Sequence, residues 1–319
     1  MMRRVMFFLN PLLMERRGRR AIVDRCAAML RRDGCTVEMQ DTVPDLSVGE
    51  DARAAVESGF DAMFACGGDG TLFQVLQGVA GSNVAIGVIP VGTGNVLAQN
   101  LRLPRDPLAA FTLQRNAKAV AVPLGEVTCR VAAGGQERSW YFVLAAGIGM
   151  HAAVMNLAPN GSGKRRWGRA AYYAGGLRLL LRHPIQAIDV KVKDAAGDET
   201  RFRACELLAV RVPKIGLWRA GGELHSGRLR MAAVPHTGRA GLAHASFHAL
   251  ATTWGNRKSR LCFPRYADAI EIACAPVERF SQEHPVLVEA DGEVIGVGAV
   301  TFKMSEKRVR LLWPNRVKP

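Results

Sequence analysis

The chain has 319 residues, which at roughly 150 residues per domain is about two domains. Hydrophobic residues make up 49% and charged residues 22%, and Gly 33 with Pro 15 is too little for a collagen-like or low-complexity chain; a disordered or coiled-coil protein is excluded. Lys plus Arg at 43 against Asp plus Glu at 28 leaves +15, a field that suits nucleic acid, an anionic membrane or a phosphorylated ligand without choosing among them.

Val5–Leu9 is a short apolar run closed by Asn10-Pro11, the pattern of a buried parallel strand running into a loop. From Arg19, apolar positions Ile22, Val23, Cys26, Ala27, Met29 and Leu30 recur every three or four residues, and Asp33-Gly34 stops the helix they predict. Thr36–Met39 reads as the next strand, Glu50–Ser58 as a helix, Ala62–Cys66 as a third strand, Thr71–Val79 as a helix and Val84–Pro90 as a fourth strand. This alternation predicts βα units and a mostly parallel sheet over the first 120 or so residues. After Pro123 the pattern changes to strands at Val120–Val131, Ser139–Ala146, Ala187–Lys193, Phe202–Val212 and Arg228–Val234, spaced as in an antiparallel sheet. The expected fold class is therefore α/β with two domains: a mostly parallel α/β one at 1–123 and a β-rich one at 124–319. One helix, Arg165–Arg182, interrupts the second half; its arginines do not share one face, so no clean basic membrane face is expected there.

Seven cysteines form no CxxC pair, which excludes a zinc ribbon and a thioredoxin-like motif and predicts reduced thiols in a cytoplasmic chain. Arg3 and Arg4 before Val5–Leu9 resemble a signal peptide, but Asn10, Pro11 and the arginines at 16, 17, 19 and 20 stand where the rest of one belongs, so export is not expected. The longest apolar stretch, Tyr141–Met155, contains His151 and two glycines and falls short of a transmembrane span; any membrane contact is expected to be peripheral.

Two loops carry the chemistry. Cys66-Gly67-Gly68-Asp69-Gly70-Thr71 follows an apolar strand and precedes a helical pattern, where glycines let backbone amides approach a phosphate at a helix N-terminus. Asp69 would repel that phosphate unless a metal intervenes, so the loop reads either as a site for a Mg²⁺-bridged nucleotide or as a tight turn with Asp69 as helix N-cap. Pro90-Val91-Gly92-Thr93-Gly94-Asn95 repeats the arrangement after the next strand, and two such loops converge on the carboxyl edge of one sheet. No acidic residue lies between Asp69 and Asp106. Two partial motifs are set aside. Gly147 to Ala152 fits GxGxxA but lacks an acidic residue to hold a ribose, and Gly161-Ser162-Gly163-Lys164 has Ala158 and Arg165 at the wrong ends for a P-loop. His244 and His248 stand four apart without HExxH and read as a helix surface.

Gly67–Thr71, Pro90–Asn95 and the late Asp291-Gly292-Glu293 together resemble the diacylglycerol kinase catalytic-domain family, which includes bacterial lipid kinases and sphingosine kinases, and their order runs over nearly the whole chain. The resemblance implies a two-domain kinase, with a nucleotide-binding domain at 1–123 and a sandwich-like lipid-substrate domain at 124–319, in which Asn10, Thr42, Gly67, Gly68, Asp69, Gly70, Thr71, Gly92, Thr93, Gly94 and Asn95 bind ATP, with Mg²⁺ carried on the nucleotide. It further implies that the chain end returns towards the first domain, that Asp291 is the general base for a lipid hydroxyl, and that Glu293 orients the base or a metal. Taken alone, Asp291-Gly292 reads first as a hairpin turn; with the upstream loops in place the preference passes to the base, and one residue can serve both purposes. The chain departs from the family at Leu72-Phe73-Gln74, where x-Asn-Glu is common, and at His225-Ser226-Gly227-Arg228, where many bacterial members place an Asp-Gly that helps to hold a structural Mg²⁺.

The expected partner is a lipid substrate at an anionic membrane surface, diacylglycerol being favoured; nucleic acid is not, since no helix-turn-helix, RRM or zinc-finger pattern is present. The alternatives are an NAD kinase-like enzyme, which shares the GGDG loop, and a non-catalytic nucleotide- or lipid-binding protein.

Overall fold

The computed structural model describes residues 2–43, 47–131, 135–157, 185–216, 218–235, 265–277 and 285–314. The helix expected at 165–182, the 161–164 loop, His244, His248 and Cys262 lie outside them. The chain is a mixed α/β protein that divides into two compact units, Met1–Leu124 with Glu306–Pro319, and Gly125–Ser305.

In the first unit the order is β1 (Arg4–Leu9), α1 (Pro11–Met14), α2 (Arg19–Arg32), β2 (Thr36–Asp41), α3 (Val48–Glu57), β3 (Ala62–Gly67), α4 (Asp69–Val79), β4 (Ala85–Pro90), α5 (Val96–Asn100), α6 (Pro107–Gln114) and the start of β5 (Lys118–Arg130). The strands pair in parallel as β4-β3-β1-β2, and Arg310 and Leu311 from the last strand of the chain add in parallel against Ala85 and Ile86. β3 and β4 are buried at every position, as parallel strands covered on both faces must be, which is why they read as unbroken apolar runs. Val23, Cys26, Ala27 and Leu30 turn the buried stripe of α2 to this sheet, and Phe7, Phe64 and Phe111 pack tilted or edge-on at 5.2–6.1 Å.

Two short helices that apolar periodicity did not signal are started by caps. Asn10 accepts from Leu13 N–H at 3.3 Å and Asp106 from Ala109 N–H at 2.7 Å, each followed by proline at the first helical position. α6 also completes the sheet. The buried Gln114 amide accepts from Val88 N–H at 2.9 Å and donates to Val88 C=O at 2.7 Å, satisfying β4 beyond the two residues that pair with the last strand.

The second unit holds the end of β5, β6 (Glu137–Phe142), β7 (Ala145–Gly149), α7 (Met150–Leu157), β8 (Ile188–Lys193), β9 (Glu199–Val210), β10 (Lys214–Ile215), β11 (Trp218–Arg219), β12 (Leu229–Pro235), β13 (Arg265–Ala269), β14 (Glu271–Pro276), β15 (Leu287–Ala290) and most of β16 (Glu293–Trp313). Its strands run antiparallel in the order β13-β12-β9-β7-β15-β16, and β14 pairs with β16 and with β8. The strand expected over Ser139–Ala146 is broken at Val143-Leu144 into β6 and β7, because the amides there turn to a side chain instead of a neighbouring strand.

Candidate active site

The parallel sheet puts the ends of β1, β2, β3 and β4 along one carboxyl edge. Asn10 follows β1, Thr42 follows β2 with its N–H on Leu9 C=O at 2.7 Å, and the two glycine loops follow β3 and β4. All eleven residues expected at a nucleotide thus stand on one edge, the place where open α/β sheets take ligands. Asn10 also caps α1, and Thr42 is buried.

The two loops are fitted backbone to backbone. Gly67 C=O accepts from the N–H groups of Val91 and Gly92 at 3.2 and 3.0 Å. A Cβ on Gly92 would lie 2.5 Å from Gly68 Cα, and one on Gly67 would lie 2.2 Å from Thr71 Oγ1, so neither position has room for a side chain. Thr71 is 4% exposed and its hydroxyl has no hydrogen-bond partner among the described residues, a cost that a phosphate oxygen would relieve. Thr93 and Gly94 stay exposed at the tip of the second loop.

Asp69 is not the N-cap of its own helix. It is the first residue of α4, whose N-cap is Gly68, and its carboxylate reaches across to the next helix, accepting from Val96 N–H at 3.0 Å and Leu97 N–H at 3.2 Å. Burial pushes its pKa up while these amides pull it down, and the net shift is upward. Two of the protein's own N–H groups thus meet this carboxylate. It caps α5 because Asn95, in the left-handed region at φ 49°, turns its amide back to Gly92 C=O at 2.9 Å and makes no cap itself.

In the second unit Asp291 and Gly292 form the two-residue turn between β15 and β16, with φ 49° and 89°. Asp291 N–H donates to Ala145 C=O at 2.7 Å, while its carboxylate accepts from Leu144 and Ala145 N–H on Oδ1 at 2.8 and 3.0 Å and from Val143 N–H on Oδ2 at 2.9 Å. Two lone pairs on Oδ1 are thereby used, and one remains on Oδ2. Burial raises the Asp291 pKa from 3.8 to about 7; the three amides oppose the rise and the charge of Glu289 adds to it.

Glu293, expected to orient the base, is exposed at the start of β16 and pairs through its backbone with Ala290. The carboxylate that holds the turn is Glu289, 1% exposed, which accepts from Gly292 N–H at 2.9 Å and stands 3.5 Å from His151 Nδ1. Burial lowers the His151 pKa, and the hydrogen bond and charge of Glu289 together with the charge of Glu206 more than reverse this, leaving it raised. No sequence signal marked Glu289 or His151, because their pairing joins β15 to the start of α7.

The structural Mg²⁺ implied at 225–228 does not fit this chain. Ser226 offers no carboxylate, the fully buried Arg211 guanidinium faces the segment, and among the described residues no group of three or more His, Cys, Asp or Glu is placed to hold a metal.

A parallel sheet with two interlocked glycine loops at its carboxyl edge defines the class, an open α/β fold. Residues 4–127 match the family model of the diacylglycerol kinase catalytic domain. A diacylglycerol kinase of Staphylococcus epidermidis is 32% identical over 145 residues, 45% of this chain and 42% of that protein. One of Mycobacterium tuberculosis is 34% identical over 132 residues, 40% of each. The chain thus spans less than half the length of these relatives. The similarity to the diacylglycerol kinase catalytic-domain family is thus carried by the first part of the chain, residues 4–127. The fold likeness is wider: a crystal structure described as a diacylglycerol kinase from Bacillus anthracis str. Sterne superposes over 99% of both chains with TM-score 0.72 at 16% identity.

Proposed function

We propose that the protein is an ATP-dependent lipid kinase that transfers the γ-phosphate to a lipid hydroxyl, with diacylglycerol the favoured acceptor. The observation that carries this reading is the pair of interlocked glycine loops with the buried Thr71 hydroxyl at the carboxyl edge of β3 and β4, in a segment whose relatives bear the name diacylglycerol kinase. MgATP is the phosphoryl donor. The backbone amides at the start of α4 and the exposed Thr93-Gly94 tip take its phosphates, and Asp69 acts indirectly by fixing the second loop against the first.

Asp291 is the general base. Its carboxyl, with a pKa of about 7 and one open lone pair on Oδ2, is matched to taking a proton near neutral pH. The acceptor O–H bond breaks with its proton passing to Oδ2, the acceptor oxygen bonds to the γ-phosphorus, and the β–γ bridge leaves with ADP. Glu289 positions the turn that carries the base. Among the described residues no helix is long and apolar enough to cross a membrane, and a net charge of +15 draws the protein to an anionic bilayer. We place it in the cytoplasm, meeting the membrane peripherally.

The test is transfer of labelled γ-phosphate from MgATP to a panel of diacylglycerol, a sphingoid base, a ceramide and phosphatidylglycerol in mixed micelles, with NAD alongside. Label in diacylglycerol is the expected result; label in NAD alone sinks the lipid assignment, and ATP binding without labelled product replaces it with a non-catalytic protein.

A further inference from the structure

The apolar run ending β9 continues into Ala209-Val210-Arg211-Val212, and the arginine in it is turned inward with 0% exposure. A guanidinium keeps its charge even when burial lowers its pKa to about 10, and Asp291 supports that charge from nearby. A buried cation must be met by oxygen. Here the oxygens come from one short segment: Nη2 donates to Leu224 C=O at 2.7 Å, and Nη1 to Ser226 C=O at 2.8 Å and to Arg228 C=O at 3.5 Å. Nη1 also lies 3.0 Å from Met304 Sδ on β16.

The rest of the segment is shaped to this grip. Ser226 N–H closes a turn on Glu223 C=O at 3.1 Å, and Arg228 N–H bonds the Ser226 hydroxyl at 3.1 Å. At its beginning, Gly222 N–H bonds Val212 C=O at 3.1 Å, and a Cβ on Gly222 would lie 2.7 Å from Val212 N, so the loop leans on the backbone around Arg211 itself. Carbonyl oxygens gathered around one buried positive centre are the donor set of a hard divalent ion, but such an ion needs carboxylates to balance its charge. The segment's own carboxylate, Glu223, is exposed, Ser226 stands where the family resemblance implies an acidic residue, and a second cation beside the guanidinium is repelled.

We propose that Arg211 takes the part of a structural divalent cation in this chain, gathering the carbonyl groups of 224, 226 and 228 so that the segment is held without metal. The same residue reaches the base. Arg211 N–H donates to Leu144 C=O at 2.8 Å, and Leu144 N–H donates to Asp291 Oδ1 at 2.8 Å, so the clamp on 224–228 and the anchor of Asp291 share one stretch of backbone. Arg211 is a positioning residue, and its role does not depend on the acceptor or on phosphoryl transfer.

Amide hydrogen exchange of the full chain, in EDTA and in millimolar Mg²⁺ without nucleotide, tests this. Peptides covering 222–229 of the wild type exchange at the same rate, within about twofold, in both conditions. In Arg211→Met they exchange about tenfold or more faster, while peptides of β1, β3 and β4 keep wild-type rates. Arg211→Lys, which keeps the charge and loses the fork, lies between the two and serves if the Met variant fails to fold. In an Arg211→Met, Ser226→Asp double variant, Mg²⁺ slows exchange in 222–229. Slower exchange there on adding Mg²⁺ to the wild type, or wild-type exchange in both single variants, overturns the proposal. No outcome involves phosphate transfer, so this result stands or falls apart from the kinase assignment.

Discussion

Replacing Asp69 with alanine separates two explanations of the acidic residue in the glycine loop. In the structure its carboxylate accepts from Val96 and Leu97 N–H at 3.0 and 3.2 Å, and Leu97 is buried. Loss of a capping side chain costs about 0.5–2 kcal/mol, and a buried N–H left without a partner about 1–3 kcal/mol. Against this, removing a carboxylate whose pKa burial has already raised returns part of its desolvation, so a net loss of about 2 kcal/mol is expected. Amide exchange reports the effect where it arises: at Val96 and Leu97 the Ala variant exchanges about thirtyfold faster. Asp69→Asn, which keeps one acceptor oxygen, falls between. A carboxylate held in place for a metal or a phosphate gives the opposite pattern, because its removal relieves repulsion. Exchange within about threefold of wild type, or a rise in stability, refutes the capping role.

Gln114→Leu strands the N–H and C=O of Val88 at the edge of β4 and costs about 2–4 kcal/mol in urea unfolding; a change under about 1 kcal/mol shows that other groups complete that edge. Gly92→Ala drives a Cβ against Gly68 Cα, parts the two loops and weakens nucleotide binding by about tenfold or more in calorimetry; unchanged affinity removes the second loop from the site. Asp291 has a folded-state pKa near 7, above the 3.8 of an ordinary carboxyl. The folded protein therefore holds a proton that the unfolded chain has released, and this contribution to stability is full below about pH 4 and lost as pH rises through about 7. The difference is about 4 kcal/mol. Relative to Asp291→Asn, which cannot titrate, the wild type loses that stability between pH 4 and 8, and parallel profiles for the two proteins contradict the raised pKa.

The first unit was largely legible because its signals are local. β3 and β4 are apolar runs bounded by glycine turns, α2 shows its buried stripe at helical spacing, and both loops lie where strand gives way to helix. The same local reading missed what depends on distant partners. Asp69 looked anomalous because its amides belong to the helix after the next strand, 27 and 28 residues on. The break at Val143-Leu144 was invisible because the carboxylate that turns those amides is 147 residues from Leu144. Asp291-Gly292 did announce a turn, as the residue pair most suited to two positive φ values, and the turn and the carboxylate anchor occupy the same residue. Arg211 gave no sign, since an arginine inside an apolar run reads the same whether its guanidinium faces water or three carbonyl groups.

The central claim is that the chain transfers a phosphoryl group to a lipid with Asp291 as base, and single-turnover transfer of labelled γ-phosphate to diacylglycerol in mixed micelles by the wild type and Asp291→Asn tests it most directly. ATP affinity should be the same in both proteins, with transfer rising in the wild type through about pH 7 and falling by at least about a hundredfold in the variant. Equal transfer by the two proteins, or none by a wild type that binds ATP, contradicts it.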